Sequence, residues 1–378
     1  MDVPSITVPQ ADLGAAYRAQ QPAIDAAVGR VLASGWYILG GECAAFEREY
    51  AAWNRQKRAV GCANGTDALM LILRGLGIGP GMTVATVSHT AVATVAAIEM
   101  VGATPLLLDI DPDTYTMDPD ELLAVLDDPP PGLPPIRAVI PVHLYGHPCD
   151  LLPMLAACRA AGVAVIEDCA QAHGARLDGT MVGCFGDAAA YSLYPTKNLG
   201  ALGDAGVLTT DDEALADRIA AIRQYGWKRR YLSDSVGVNS RLDEMQAAIL
   251  RARLPLLDAG NARRREIAAA YDAALAGGPI AAPVRRPNVE HVYHQYVVRS
   301  AAREELAVRL RAQGIATAIH YPAAVHQQEA YLGRVPLGPA ACAETELATR
   351  EVLSLPIFPE LTDAQVEAVC AALRAEAR

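Results

Sequence analysis

Four short runs, at 138–142, 164–166, 188–192 and 207–209, are apolar almost throughout and do not alternate with polar residues. A strand of that kind has to be covered on both faces, which a parallel sheet sandwiched by helices provides. The segments around them fit. Residues 67–76, 92–100 and 122–126 read as helices, and 83–87 and 105–108 as further short strands. The Pro-rich stretch DDPPPGLPP at 127–135 can hold neither helix nor central strand, so it reads as a surface loop. This alternation predicts an α/β domain with a mostly parallel central sheet covered by helices.

Ahead of the sheet, the Ala-rich residues 11–33 read as helical, with Pro22 starting or breaking the helix. Beyond it the helices become long and charged, at 212–225 and from 241 to about 276. The texture then changes. A strand is expected at 294–298, a helix at 303–313 closed by Gly314, a strand at 316–320, and helices at 340–353 and 362–377. The expected division is a large domain over 1–255 and a smaller C-terminal α+β domain over 256–378.

A chain of 378 residues with 52% hydrophobic content has enough apolar material for cores of that size. Its net charge of -11 argues against nonspecific nucleic-acid binding, which needs phosphate neutralisation, but leaves room for a local anion site. The eight cysteines form no C-x-x-C pair and no zinc-type Cys/His spacing, so buried, reduced thiols and no metal site are expected. The start, MDVPSITVPQAD, has no basic or apolar leader pattern. The most apolar stretch, 91–98, is too short for a bilayer and is followed by Glu99. A cytoplasmic protein without membrane contact is expected.

Candidate chemistry gathers at the strand ends. In SLYPTKNLGALGDAGVLTT, 192–210, Lys197 sits in a Gly-punctuated turn between two apolar runs. Desolvation at such a place lowers an amine's pKa and makes it a nucleophile toward an aldehyde. Pyridoxal 5'-phosphate is the common aldehyde cofactor, and its ring nitrogen takes a carboxylate partner. GVAVIEDCAQAHGA, 162–175, ends a strand on Glu167 and Asp168, and alternation sends only one of them to the site. Asp168 is the choice, with Gln171 within reach of a ring hydroxyl. CANGTDAL, 62–69, places Asn64, Gly65 and Thr66 at a helix start, where free N–H groups and the dipole favour a phosphate. Ser192 supplies a second hydroxyl. Asn239 and Arg241 precede another helix, and Lys228, Arg229 and Arg230 form a basic run suited to a diphosphate or to solvent. GLGIGPG, 75–81, follows a helix rather than a strand, so it is no dinucleotide fingerprint, and there is no P-loop, G-x-S-x-G or H-E-x-x-H.

These pieces, in this order, resemble the DegT-family sugar aminotransferases, a branch of the fold-type I pyridoxal-phosphate enzymes. YSLYPTKNLGALGDAG at 191–206, IEDCAQAHGA at 166–175, GCANGTDAL at 61–69 and GVNSRLDEMQAAIL at 237–250 carry the resemblance, which extends over nearly the whole chain. It implies that Lys197 holds the cofactor as a Schiff base and that Asp168 pairs with the pyridinium nitrogen. Gln171 meets the ring hydroxyl, and Gly65, Thr66 and Ser192 hold the phosphate. Asn239 reaches in from the second subunit of a homodimer. It also implies L-glutamate as donor and a nucleotide-linked keto sugar as acceptor. IHYPAAVHQQEAY, 319–331, resembles members that aminate a dTDP-linked 3-keto-6-deoxyhexose, with His320, Tyr321 and Lys228 as substrate contacts. In VSHTAVAT, 87–94, Ala91 stands where many members carry a ring-stacking aromatic, so His89 is expected to help cover the ring. A 4-keto sugar or keto-cyclitol acceptor, a sugar dehydratase and a non-catalytic ligand sensor are the alternatives on the same scaffold.

Overall fold

The computed structural model describes residues 6–376; residues 1–5 of the N-terminal stretch read above, and the last residue of the helix expected at 362–377, lie outside that range. Its centre is a seven-stranded sheet. Strands β1 (Arg58–Cys62), β2 (Thr83–Val87), β3 (Thr104–Leu108), β4 (Ile136–Val139) and β5 (Ala164–Asp168) are joined by Ala188–Ser192 and Gly206–Thr210. Across the sheet the order is β1, Gly206–Thr210, Ala188–Ser192, β5, β4, β2, β3. The pairs β2–β3, β2–β4, β4–β5 and β5 with Ala188–Ser192 are parallel. Gly206–Thr210 alone runs against both its neighbours. β2 and Gly206–Thr210 are buried along their full length, their threonines covered along with their apolar side chains.

Helices α1 (Leu13–Ser34), α2 (Gly41–Trp53), α3 (Gly65–Gly75) and α4 (Val92–Met100) come from the first hundred residues. Asp12 caps α1 by accepting a 2.8 Å bond from the Ala15 N–H. Pro22 does not break α1 but lies inside it. A helix-interior proline costs about 3 kcal/mol. Here Ala27 and Val31, one and two turns on, are buried against Ala248, and that packing keeps the helix whole. α3 buries Ala68 to Leu73 beneath the sheet and makes the floor of the main core.

After 255 the structure departs from the sequence reading in three places. The helix expected from 241 to 276 is interrupted at Leu254–Leu256, where Pro255 lacks an N–H. Residues 316–320 form no strand, only one bridge, Ala318 to Ser354. Helix Ala343–Glu351 stops early because the next four residues, Val352–Leu355, pair antiparallel with Tyr296–Arg299. Helical periodicity cannot see a partner strand more than 50 residues away.

Tyr271, Tyr296, Leu310, Leu353, Phe358 and Leu373 form a separate apolar cluster, joined by Val8 from the N-terminal segment. The connection between these parts is intimate. Val325, Val335 and Cys342 pack on Val95 and Leu107, and Leu107 exchanges backbone bonds with Pro336 and Gly338 at 3.0 and 2.8 Å. No described helix is long and apolar enough to cross a membrane.

Candidate active site

The carboxyl ends of β5 and Ala188–Ser192 open into a cavity of about 500 Å³ beside the N-terminus of α3. Asp168, Gln171, Ser192, Lys197, Gly65 and Thr66 all line it. This is where open α/β sheets collect their ligands.

Lys197 hangs from a turn closed by its own N–H on the Tyr194 carbonyl, 2.8 Å. Leu193 and Ala201 tie the loop ends together at 2.8 Å. Gly200 is required there, since a Cβ would stand 2.4 Å from the Pro195 oxygen. Part of Lys197 is reached by solvent, yet burial lowers its amine to a pKa of about 8, with Asp168 pulling the other way.

The adjacent acids Glu167 and Asp168 are sent apart by strand alternation. Glu167 turns to the interior, where it accepts bonds from Gly183, Phe185 and Gly186 N–H groups and from His143. These bonds account for its place in a buried trio with His143 and Cys169. Asp168 faces the cavity. Its Oδ1 accepts the Ala170 N–H at 3.1 Å and its Oδ2 the Thr94 hydroxyl at 2.9 Å. Burial raises its pKa, and the two hydrogen bonds and Lys197 restrain the rise. A buried carboxylate in that position favours a cationic N–H partner.

Asn64 caps α3 by accepting the Asp67 N–H at 2.8 Å. The Gly65 and Thr66 N–H groups, one step earlier, have no acceptor among the described residues and border the cavity. A Cβ on Gly65 would lie 2.7 Å from the Ser192 Cβ, so only glycine lets the helix start and the serine close on one anion. Asp67 shares this wall, its carboxylate held by the Ser240 hydroxyl at 2.6 Å.

Gln171 uses Oε1 on the Tyr145 N–H at 2.7 Å and Nε2 on the Tyr321 oxygen at 3.1 Å, leaving one amide hydrogen free. Tyr321 is thereby fixed beside Gln171. His320 lies on the other side of the lysine turn, its Nδ1 2.8 Å from the Ser354 hydroxyl.

His89 is a correction. It does not line the cavity: its Nε2 meets the Tyr145 hydroxyl at 2.8 Å and its ring packs against Tyr115. Burial lowers its pKa to about 4. Thr90, Ala91 and Thr94 border the cavity instead. Asn239 and Lys228 also lie away from this chain's own cavity. Asn239 is exposed, and Lys228 is on an exposed hairpin, 3.6 Å from Asp234. Thr94 and Tyr145 are the residues that sequence reasoning missed. The spacing Thr90-x-x-x-Thr94 across the start of an apolar helix was the one available signal for the first, and Tyr145 had none.

The fit to pyridoxal 5'-phosphate is specific. A nucleophilic amine, a buried carboxylate and a pair of free helix-start N–H groups share one cavity. Together with the doubly covered sheet they define the class of pyridoxal-phosphate-dependent enzymes. The chain matches the DegT/DnrJ/EryC1/StrS aminotransferase family over residues 19–374 and belongs to it. It is 45% identical to a dTDP-3-amino-3,4,6-trideoxy-alpha-D-glucose transaminase of Streptomyces venezuelae, covering 97% of this chain and 95% of that one. It is 41% identical to a UDP-N-acetyl-3-dehydro-alpha-D-glucosamine 3-aminotransferase of Acidithiobacillus ferrooxidans, over 97% of each. The crystal structure of S. venezuelae DesV in complex with a ketimine intermediate superposes with a TM-score of 0.93 at 45% identity, covering 99% of both chains. The protein is a pyridoxal-phosphate-dependent sugar aminotransferase.

Proposed function

We propose that the chain moves the amino group of L-glutamate to the keto carbon of a dTDP-linked 3-keto-6-deoxyhexose. The observation that carries the chemistry is Lys197, its amine lowered to about 8, in one cavity with Asp168. The 3-amino-sugar names of both relatives support the acceptor's position, and the Streptomyces relative supports dTDP.

Bound pyridoxal phosphate supplies an aldehyde carbon that takes up amines and a ring that stabilises negative charge beside it. The chain's residues do the rest. Lys197, its amine lowered to about 8, would hold the cofactor through that amine and, when free, would serve as the base and acid that moves a proton. Asp168, in its ionised form, would favour a protonated ring nitrogen on the bound cofactor. Thr94 and the Ala170 N–H hold that carboxylate in place. Gly65, Thr66 and Ser192 would anchor the phosphate, and the free amide hydrogen of Gln171 would be available to the ring hydroxyl.

The same reading makes the enzyme a cytoplasmic homodimer with shared sites. Asn239 and Lys228 serve the partner's cavity, which their exposure in the isolated chain supports. Tyr321 and His320 would be the contacts to the sugar. The division into 1–255 and 256–378 belongs to this reading too, supported by the separate apolar cluster of the C-terminal part.

The test is run in reverse, with a dTDP-3-amino-3,6-dideoxyhexose and 2-oxoglutarate. Formation of L-glutamate at enzymatic rates is expected. No glutamate from this sugar, but glutamate from a 4-amino sugar, would move the reaction to the other carbon.

A further inference from the structure

Asn198 follows Lys197 in the chain, and both ends of its amide are engaged. Nδ2 donates to Asn261 Oδ1 at 2.8 Å and to the Val292 carbonyl at 3.1 Å, and Oδ1 lies 3.2 Å from His294 Nδ1. A backbone carbonyl only accepts, so this amide can sit only one way round. Its oxygen therefore faces His294, and Nδ1 of that ring carries the proton.

Asn261 continues the path. It is 3% exposed, on helix Leu257–Leu275, and its Nδ2 donates to the His173 carbonyl at 2.8 Å. With Oδ1 on Asn198 and Nδ2 on His173, it joins the lysine turn to the turn that follows β5. That second turn, 168–175, carries Asp168 and Gln171. It is closed by the Ala172 N–H on the Cys169 carbonyl at 2.9 Å and the Ala175 N–H on that of Ala172 at 3.0 Å. Gly174 makes room for the link: its φ is +85°, and a Cβ there would stand 2.8 Å from Asn261 Nδ2.

The base of each turn is fixed to the sheet by backbone. The Cys169 N–H meets the Ala190 carbonyl at 2.9 Å, and the Leu193 N–H meets that of Ala205 at 2.9 Å. The asparagine pair acts farther out, between the turns themselves. Buried amides destabilise a fold unless their groups are paired. Here each pairing leads from one half of the site toward the other.

We propose that Asn198 and Asn261 are positioning residues of the transamination, a brace that holds the Lys197 amine in register with Asp168 and Gln171. One geometry then serves both the capture of the cofactor and the later proton transfer. The brace matters because a misplacement of about 1 Å can cost about 10²-fold in rate.

The experiment compares wild type with Asn198→Ala, Asn261→Ala and the double variant. Three quantities are read: the rate at which unloaded protein captures pyridoxal phosphate, the visible circular dichroism of the bound cofactor, and the rate at which saturating L-glutamate bleaches it. Each single variant is expected to slow capture and bleaching by about 10-fold or more and to shrink the dichroism. The L-glutamate concentration giving half the maximal rate should stay within about threefold, since the brace touches no donor. Because the bonds form one path, the double variant should be no slower than the slower single variant. Thermal unfolding checks that each variant is folded. If Asn261→Ala does not fold, Asn198→Ala, at a half-buried position, decides the matter alone. Wild-type capture and dichroism in folded variants, with only the unfolding temperature lowered, would reduce the pair to a structural contact and overturn the proposal. Losses that multiply in the double variant overturn it too, because the two residues would then act separately. If L-glutamate fails to bleach the wild type, the reading of the donor falls, and capture and dichroism decide the brace.

Discussion

Thr94 donates a 2.9 Å hydrogen bond to Asp168 Oδ2 across 74 residues of sequence. One end is on α4 and the other at the tip of β5, so the bond forms only once the sheet has assembled. A hydrogen bond to a charged group is worth about 1.5–3 kcal/mol. Thr94→Val should therefore weaken cofactor binding by about 10-fold or more. Burial already raises the pKa of Asp168, and losing the donor raises it further. The carboxylate then protonates at higher pH, so the defect should grow as pH falls. Cofactor titrations at pH 6 and pH 8 check this, and equal affinities of variant and wild type at both would refute it.

The amine of Lys197 gives a second pH dependence. Its pKa of about 8 lies below the free-lysine value because of burial. Only the neutral amine attacks an aldehyde, so the rate at which unloaded protein captures pyridoxal phosphate should rise with pH and level off above about 8. A rate that keeps climbing toward pH 10 would show an unperturbed lysine. Lys197→Ala should abolish transamination and keep the fold, because the turn that carries it is closed by backbone hydrogen bonds and not by its side chain.

Gly65→Ala tests the phosphate cradle. Its new Cβ would meet the Ser192 Cβ at 2.7 Å and Cα at 3.0 Å. Overpacking of this kind costs about 1–3 kcal/mol. Thermal unfolding should show a loss in the unloaded protein and a larger loss with cofactor present, since the helix start and Ser192 are pushed apart. A variant as stable as wild type in both states would mean the two walls do not converge on one anion.

Asn239 is exposed in the isolated chain. In hybrids of Asn239→Ala with Lys197→Ala, one site of each dimer should regain both residues. Activity well above that of either parent is expected, and isolated hybrids without recovery would confine each site to its own chain.

Much of this site was legible along the chain because its parts sit at strand ends and helix starts, which local patterns mark. The turn of Lys197, the Glu167–Asp168 choice and the Asn64–Thr66 helix start follow from glycine placement, alternation and capping chemistry. His89 was read wrongly because the loss of an aromatic at Ala91 suggested a nearby substitute, and sequence proximity does not reveal which way a side chain turns after a strand ends. Its ring found Tyr145 and Tyr115 instead.

What the sequence determined alone was therefore the doubly covered sheet and the chemistry at its edge, since apolar runs, glycines and caps act over a few residues. Only the tertiary structure decided which distant groups complete that chemistry. Thr94 reaches Asp168, and Tyr145 and Tyr321 fix Gln171. Those contacts depend on side-chain direction and on packing between elements far apart in the chain, and no local pattern carries that information.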